Sequence, residues 1–428
     1  MDIAAILKRY ERFGVHLGLE RMQQLLADLG QPHQRVPVLH IAGTNGKGSV
    51  CAYLSAVLTQ AGYRVGRYTS PHLVNWCERI CLNEQPISPE VLQRLLLQVQ
   101  GTIQSSRDGA TNSLPTQFEV LTAAAWLYFA QQQVEVAIIE VGLGGRLDAT
   151  NVCDRPLVSI ITSISWEHWQ HLGPTLADIA GEKAGIIKPG CPVVVGELPS
   201  EAKIVIAQRI AQLQCPAVWP QPARELGQGW AVSQGIQYPL PLPGAVQRGN
   251  SALAIAAIQI LRHQGWQISK TAISAGMDKT HWPGRLQWTR WRNYKILIDG
   301  AHNTAAAQAL RQYIDDHSQG AGLITWVVGM LATKDHADIL RALLRPGERL
   351  YVVPVPEHRS ADPEALVALA QELCPRLREC CAYPDLVTGL EAATQNRSGA
   401  GFQTRPPDPT LILCGSLYLV GHFLKNQV

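Results

Sequence analysis

The stretch from Val36 to Val50, which reads VPVLHIAGTNGKGSV, carries residues suited to binding a polyphosphate. An apolar run ends in the loop Gly43–Ser49, and apolar residues at helical spacing resume at Val50. A strand, a glycine-rich loop and a helix in this order let successive backbone N–H groups point at one anion. Lys47 adds a mobile positive charge, and Ser49 offers the hydroxyl that such loops give to a magnesium ion.

This loop differs from the common phosphate-loop pattern G-x-x-x-x-G-K-[ST], which would need a glycine at Ile41 and a hydroxyl at Gly48. Here the glycine is Gly43, and the hydroxyl comes one residue late. A glycine-rich turn without a ligand is the alternative, but the flanking strand and helix favour phosphate binding. The residues that we expect to hold the phosphates are consecutive: Asn45, Gly46, Lys47 and Gly48.

Polar residues also follow three other apolar runs. The predicted strand 64–69 leads to Ser70, and the run 156–165 leads to His168. The run 134–141 contains Glu140 as its last residue but one. The carboxyl ends of parallel strands lie at one edge of a sheet, where ligands bind. A buried carboxylate at Glu140 needs a partner, and a cation between it and the phosphates would supply one. A turn start at Ser70 and a structural role for His168 are the alternatives.

Strands and helices alternate along the chain, which predicts an α/β protein. At Trp282 to Gln287 the apolar pattern resets, so we expect two domains, 1–284 and 285–428. The first would be a doubly wound domain of the P-loop type, and the second a smaller doubly wound α/β domain. In the second, a strand leads to Asp299 and His302, which could be a helix cap and a bystander.

Several local expectations follow from capping and breaking residues. Helices are predicted for 3–13, 18–29, 86–101 and 115–131, and Asn250 is predicted to cap a helix that it starts. A polar loop is expected from 105 to 114, and weak hairpins in the proline-rich stretch 219–243. By its position in this pattern, Lys183 would be a lysine on a helix surface.

The composition is that of a well-cored chain: 428 residues, 46% hydrophobic and 17% charged. A net charge of +3 is too small to argue for nucleic acid. No stretch predicts a signal peptide or a membrane span, and the ten cysteines include no CxxC pair. We expect a monomeric cytoplasmic protein with reduced thiols and small-molecule substrates, and neither nucleic acid nor membrane as a partner.

Four motifs together carry a resemblance to a known family: AGTNGKGS in the phosphate loop, GLGGRLDATN at 142–151, EKAGI at 182–186 and DGAHN at 299–303. They resemble the folate branch of the Mur ligase superfamily, the folylpolyglutamate synthase family, and matching motifs run from Leu17 to Asn303. The family pattern has aspartate before His168, whereas this chain has Glu167.

The resemblance implies an ATP-dependent ligase that adds L-glutamate to dihydropteroate and also extends the glutamate tail of reduced folates, through an acyl phosphate. It implies Mg²⁺, held by Ser49, Ser70, Glu140, His168 and a carbamylated Lys183, and it leaves a monovalent cation open. Lys47, His168 and Lys183 would be catalytic. Residues on the nucleotide side would be Asn250, Arg285, Asp299 and His302. Three segments would bind the pterin substrate: Leu17, Gly18, Leu19 and Glu20; Thr116, Gln117, Phe118 and Glu119; and Leu147, Asp148 and Ala149.

Three other functions remain compatible with parts of this pattern. A folylpolyglutamate synthase without the first activity is one of them, but the resemblance of Thr116–Glu119 to T-x-F-E, together with Leu147-Asp148-Ala149, favours a retained dihydropteroate site. A Mur-type peptide ligase is disfavoured by Lys47-Gly48-Ser49 and by GLGGRLDATN. A nucleotide-binding switch is also disfavoured. It would not need Glu140, His168 and Lys183 near strand ends, and it would not need a second domain with DGAHN.

Overall fold

The computed structural model describes residues 2–11, 17–105, 114–317, 323–395 and 410–426. It divides into two compact units: Met1–Pro241 with Val246–His281, and Leu242–Ala245 with Trp282–Val428. The chain therefore passes between the units after Pro241, after Ala245 and after His281. The long segment of the second unit begins at Trp282, close to the predicted boundary at Arg285.

The first unit contains two sheets. Its strands are β1 (Val38–Ala42), β2 (Val65–Tyr68), β3 (Ile80–Leu82), β4 (Gln85–Pro86), β5 (Val136–Glu140), β6 (Val158–Ile161), β7 (Val193–Val195), β8 (Ala217–Val218), β9 (Arg224–Gly227), β10 (Trp230–Ser233) and β11 (Ile236–Pro239). Eight of them form one sheet in the order β4-β3-β2-β5-β1-β6-β7-β8, and β9 to β11 form a small antiparallel sheet where weak hairpins were predicted.

Helices cover both faces of the large sheet. They are α1 (Ile3–Lys8), α2 (Glu20–Asp28), α3 (Lys47–Gln60), α4 (Pro89–Ser105), α5 (Gln117–Gln131), α6 (Trp169–Leu172), α7 (Leu176–Ala184), α8 (Ser200–Gln212), α9 (Val246–His263) and α10 (Lys270–Lys279). Short 3₁₀ helices span Pro32–Arg35 and Trp76–Arg79. Helices α3 and α9 contact one face, while α4, α5, α7 and α8 contribute to apolar clusters on the other.

The central strands explain why the site forms where it does. Every residue of β1, β5 and β6 is buried, as expected for parallel strands covered on both faces. Strand β1 pairs in parallel with β5 on one side and β6 on the other. Later strands thus lie on both sides of β1, which makes its carboxyl end the switch point where such sheets bind ligands.

The second unit is also α/β. Its strands are β12 (Gln287–Trp291), β13 (Tyr294–Ile298), β14 (Ile324–Val328), β15 (Arg349–Val352), β16 (Glu379–Ala382) and β17 (Thr410–Cys414), in the order β12-β13-β17-β14-β15-β16. Its helices are α11 (Thr304–His317), α12 (His336–Leu343), α13 (Pro363–Leu373), α14 (Leu386–Gln395) and α15 (Leu417–Lys425). All pairings are parallel except that of β12 with β13. The predicted two-domain α/β fold class is confirmed.

Several predicted boundaries were wrong. Helix α4 begins at Pro89, because Pro86 lies in β4, an edge strand that tolerates a residue without an N–H. Asn250 is not a cap, since α9 begins at Val246 and contains it. Helix α1 ends at Lys8, and the remainder of the predicted helix to Phe13 runs into residues outside those described. Most of the predicted polar loop, 106–113, also lies outside them.

In the described part of the chain, no helix combines the length and the apolar character that are needed to cross a bilayer.

A buried ion pair stabilises the second unit and can be tested there. Arg311 donates to Glu348 at 2.5 Å, and the second carboxylate oxygen of Glu348 accepts from the Trp326 indole at 2.8 Å. Glu348→Ala leaves the buried guanidinium without its buried carboxylate partner. We expect it to lower the free energy of unfolding of this unit by about 3 kcal/mol, measured by hydrogen exchange of the β14 and β15 amides.

Asp315→Ala is the matched control. Asp315 contacts the same guanidinium, but its side chain is 46% exposed. Its removal should change stability by less than about 1 kcal/mol. Equal losses in the two variants would contradict a special role for the buried pair.

Candidate functional site

The loop between β1 and α3 requires glycine at two positions. Gly43 has φ of +151°, and a Cβ there would lie 1.9 Å from Thr162 Oγ1. Gly46, at the start of α3, has φ of +87°, and a Cβ there would lie 2.3 Å from Asn250 Oδ1. Both the backbone conformation and the close approach of neighbours therefore select glycine.

The end of β6 braces this loop. Thr44 N–H donates to Ser163 O at 2.7 Å, and Asn45 N–H donates to Ser163 Oγ at 3.0 Å. The Thr162 hydroxyl donates to Asn45 O at 2.7 Å. The backbone of Asn45 is thus engaged within the protein, so the candidate N–H groups for binding an anion begin at Gly46, immediately before α3. Sequence reasoning missed Thr162 and Ser163, although hydroxyls directly after a buried strand were a usable signal.

Lys47 lies beside the loop. Its ammonium group donates to Gly43 O and to Thr44 O, both at 3.1 Å, and lies 4.0 Å from Glu140 Oε1. Glu140, at the end of β5, is 5% exposed and accepts from Ser70 N–H at 3.1 Å. The structure therefore brings together the predicted residues that follow β1, β2 and β5.

Helix α9 lies against the same loop. Gln247 Nε2 donates to Ser49 Oγ at 3.3 Å, and Asn250 Nδ2 donates to Gln247 Oε1 at 3.1 Å. Both Ser49 and Gln247 are buried. Asn250 is thus placed beside Gly46 rather than at a helix end, and Gln247 is a neighbour of the loop that sequence reasoning did not select.

A magnesium site is compatible with these donors. Ser49 and Glu140 offer a hydroxyl and a carboxylate, which are hard oxygen ligands. Within the described residues, no group of three or more His, Cys, Asp and Glu side chains is arranged to hold a metal. Mg²⁺ commonly takes one or two protein carboxylates and completes its shell with phosphates and water.

Lys183 is buried, which contradicts the surface position that its spacing predicted. Its ammonium group donates to Gly43 O at 3.0 Å. Burial and the nearby charge of Lys47 lower the pKa of Lys183 to about 7, against the opposing effects of Glu167 and Asp148. A lysine with this pKa is partly unprotonated at neutral pH.

His168 occupies a different environment. It has φ of +54°, its side chain is 47% exposed, and its Nε2 lies 3.8 Å from Glu167 Oε1. The structure thus places His168 on an exposed turn after β6, whereas Lys183 is inside. His171, on the short helix that follows, is also exposed.

The end of α7 is held against the loop that follows β5. A Cβ at Gly185 would lie 2.3 Å from Arg146 Cα, so the two backbones are in contact. Arg146 also pairs with Glu182 at 2.8 Å, and Asn151 Nδ2 donates to Gly185 O at 3.1 Å. These contacts fix the helix that carries Lys183.

Two of the three predicted substrate segments meet through their backbones. Gly18 N–H donates to Leu147 O at 3.4 Å, which joins the segments 17–20 and 147–149. Residues 14–16 of the loop before them lie outside the described residues. Asp148 is buried and accepts from Leu143 N–H at 2.8 Å and from Thr150 Oγ1 at 2.5 Å. Burial raises the pKa of Asp148, and these hydrogen bonds oppose the shift.

The third segment starts α5. Thr116 and Glu119 form a capping box, and Glu119 also pairs with Arg21 at 3.1 Å, a contact that the sequence did not indicate. The Phe118 ring lies against Gly142, where a Cβ would be 2.5 Å from its nearest carbon. Phe118 therefore joins this segment to the loop after β5, while Glu119 is engaged in helix capping.

In the second unit, Asp299 organises the turn after β13. Its carboxylate accepts from Leu286 N–H and from Ala301 N–H, each at 2.8 Å, so it holds the turn and does not cap α11. Burial raises the pKa of Asp299, opposed mainly by the charge of Arg285. His302 Nδ1 donates to Gly300 O at 2.8 Å. The predicted residues Arg285, Asp299 and His302 are thus neighbours.

Known proteins resemble this chain in sequence and in fold. A family model described as "Dihydrofolate synthetase, C-terminal domain" matches residues 285–426. The dihydrofolate synthase/folylpolyglutamate synthase of Bacillus subtilis is 37% identical over 346 residues, which cover 78% of this chain and 80% of that protein. A probable dihydrofolate synthetase of Schizosaccharomyces pombe is 35% identical over 439 residues, covering 97% of this chain and 100% of that protein.

A solved structure agrees along the whole length. The structure of E. coli FolC in complex with DHPP and ADP has a TM-score of 0.84 and 30% identity, covering 99% of this chain and 97% of that chain. Two relatives above 30% identity, which cover 78% and 97% of this chain, together with this shared fold, establish the relationship. The chain therefore belongs to the dihydrofolate synthase/folylpolyglutamate synthase family.

Proposed function

We propose that the chain is an ATP-dependent ligase that joins L-glutamate to dihydropteroate and extends the glutamate tail of reduced folates. The observation that carries the proposal is the group at the carboxyl edge of the large sheet. There a glycine loop, the Lys47 ammonium, the Glu140 carboxylate and Lys183 lie within direct contact of one another or of Gly43. This arrangement suits the binding and transfer of a phosphoryl group.

The reaction would proceed in two steps. An oxygen of the acceptor carboxylate attacks the γ-phosphorus of ATP. The bond between the γ-phosphorus and the bridging oxygen breaks, ADP leaves, and an acyl phosphate forms. The amine of glutamate then attacks the acyl carbon, the tetrahedral intermediate expels phosphate, and the amine loses a proton. A carboxylate is a poor electrophile, and phosphorylation makes its carbon reactive toward the amine. Exclusion of water protects the acyl phosphate, a mixed anhydride, from hydrolysis.

The roles of individual residues follow from their positions. The N–H groups of Gly46, Lys47 and Gly48 would bind the β- and γ-phosphates, with Asn45 beside them and the Lys47 ammonium offsetting negative charge. Asn250, Arg285, Asp299 and His302 would serve the nucleotide. The acceptor would bind through the residues predicted for the pterin: Leu17, Gly18, Leu19, Glu20, Thr116, Gln117, Phe118, Glu119, Leu147, Asp148 and Ala149.

Magnesium and a modified lysine complete the proposal. Ser49, Ser70 and Glu140 would hold one Mg²⁺, and His168 with Lys183 a second. When bound, these ions neutralise phosphate charge so that two anions can approach. Lys183 would take this role as a carbamate, because a protonated amine repels a cation and a neutral amine is a poor ligand for Mg²⁺, which prefers oxygen. Its burial and its lowered pKa support that modification.

The activity is tested by ADP release in the presence of glutamate and Mg²⁺, with dihydropteroate or tetrahydrofolate as acceptor. We expect turnover with both acceptors. Lys47→Ala should lower turnover by about 100-fold or more, because it removes a positive charge from the transferred phosphoryl group. Lys270→Ala, an exposed lysine on α10, is the control and should leave turnover unchanged. Turnover with tetrahydrofolate alone would withdraw the dihydropteroate activity.

A second test concerns the shape of the loop. Gly46→Ala places a methyl group against Asn250 and forces alanine to φ of +87°. We expect the dissociation constant for ADP, measured by calorimetry, to rise roughly tenfold or more, which is about 1.4 kcal/mol. Gly62→Ala is matched in strain, since Gly62 has φ of +93° but meets no atom within 4 Å. Similar ADP affinities for the two variants would contradict phosphate binding at this loop.

A third test concerns Lys183 in the metal-free protein. Its unprotonated amine attacks the carbon of CO₂ and releases a proton, so carbamate should increase as the pH rises from about 6 to about 8, through the pKa of the amine. An ordinary lysine would stay protonated over this range. The carbamate carbon is followed by NMR with ¹³C-labelled CO₂. The signal should vanish in Lys183→Arg and persist in Lys188→Arg; a signal that survives in the first variant would refute the assignment.

A further inference from the structure

A buried histidine lies in β1, immediately before the phosphate loop. The side chain of His40 is fully buried, and its Nε2 lies 2.9 Å from Thr150 Oγ1. Thr150 Oγ1 in turn lies 2.5 Å from Asp148 Oδ1. A continuous chain of three side chains thus connects the strand that carries the nucleotide loop to the loop that follows β5.

The direction of each hydrogen bond in this chain is determined. Asp148 Oδ1 also accepts from Thr150 N–H at 3.0 Å, and Oδ2 accepts from Leu143 N–H at 2.8 Å, so both oxygens act as acceptors. The Thr150 hydroxyl must therefore donate to Asp148, which leaves its lone pairs to accept from His40. Consequently His40 carries its proton on Nε2.

The rest of the His40 environment agrees with a neutral ring. Its Nδ1 is buried and has no hydrogen-bond partner among the protein atoms that the structure describes, as suits a nitrogen without a proton in an apolar strand. Burial, with a contribution from the positive charge of Lys188, lowers the pKa of His40 to about 3. The ring is therefore uncharged at neutral pH and donates one hydrogen bond in a fixed direction.

We propose that His40 and Thr150 are positioning residues that set the acceptor segment 147–149 relative to the phosphate loop. This inference rests on the proposed function. Asp148 is fixed through Thr150 to β1, and the adjacent Leu147 carbonyl accepts from Gly18 N–H, so these hydrogen bonds reach two of the three predicted pterin segments. Displacement by a fraction of an ångström between acceptor carboxylate and γ-phosphate slows an in-line transfer, so such a link matters for catalysis.

Thr150→Val and Thr150→Ser form a matched pair of variants. Valine keeps the shape of threonine but removes the hydroxyl that links His40 to Asp148, whereas serine keeps it. In Thr150→Val we expect kcat/KM for dihydropteroate to fall roughly tenfold, because the acceptor is displaced from the phosphoryl group, while the dissociation constant for ADP stays within about twofold of wild type. Thr150→Ser should remain near wild type in both. Equal losses of kcat/KM and of ADP affinity, or a loss of neither, would overturn the proposal.

A second readout needs no turnover. Histidine ¹⁵N spectra of the whole chain at neutral pH should show His40 protonated on Nε2 and bare on Nδ1, and a proton on Nδ1 would overturn the proposal. Should Thr150→Val fail to fold, His40→Gln, whose amide can replace the Nε2 donor, is compared with His40→Leu, which cannot. If wild type turns over neither acceptor but His40 has the expected tautomer, the proposed function fails while the hydrogen-bond chain stands.

Discussion

The backbone carbonyl of Gly43 accepts hydrogen bonds from two ammonium groups, those of Lys47 and Lys183, at 3.1 and 3.0 Å. Two amines around one acceptor concentrate positive charge in a buried place. Burial lowers the pKa of Lys183, and the nearby charge of Lys47 lowers it further. Burial of such charge without compensation is unfavourable. The site therefore favours either a neutral Lys183 or the arrival of an anion.

This concentration of charge is possible because the surrounding backbone is held rigidly. Thr162 and Ser163 at the end of β6 fix Thr44 and Asn45, and the absence of a Cβ at Gly43 allows the close approach. The glycine contact between the end of α7 and the loop after β5 does the same for Lys183. The phosphate loop and the end of α7 are thus held close together by backbone contacts near the ends of neighbouring strands, so that Lys47 and Lys183 both reach the Gly43 carbonyl.

The sequence predicted the strand ends and the residues on them, because continuous apolar runs that stop at glycine, serine or glutamate are typical of buried parallel strands. It misplaced Lys183, since helical spacing does not distinguish which polar residue faces an interior that is itself polar. It made Asn250 a cap because asparagine is favoured at helix N-termini. In the structure α9 begins four residues earlier, and Gln247 in its first turn donates to Ser49. The bracing by Thr162 and Ser163 and the ion pair of Arg21 with Glu119 join residues about a hundred positions apart, which one sequence does not reveal.

The path of the chain between the two units has a consequence for exchanging parts among relatives. The short segment Leu242–Ala245 belongs to the second unit although it lies in sequence between β11 and α9 of the first. Within that unit, Gly244 lies against Leu286, where a Cβ would be 2.4 Å from the leucine side chain. A chimera made by a single exchange at Trp282 would take residues 282–428 from a relative but keep Leu242–Ala245, which belongs to the same unit, from this chain. Recombination that respects the fold must transfer this four-residue segment together with the C-terminal part of the chain.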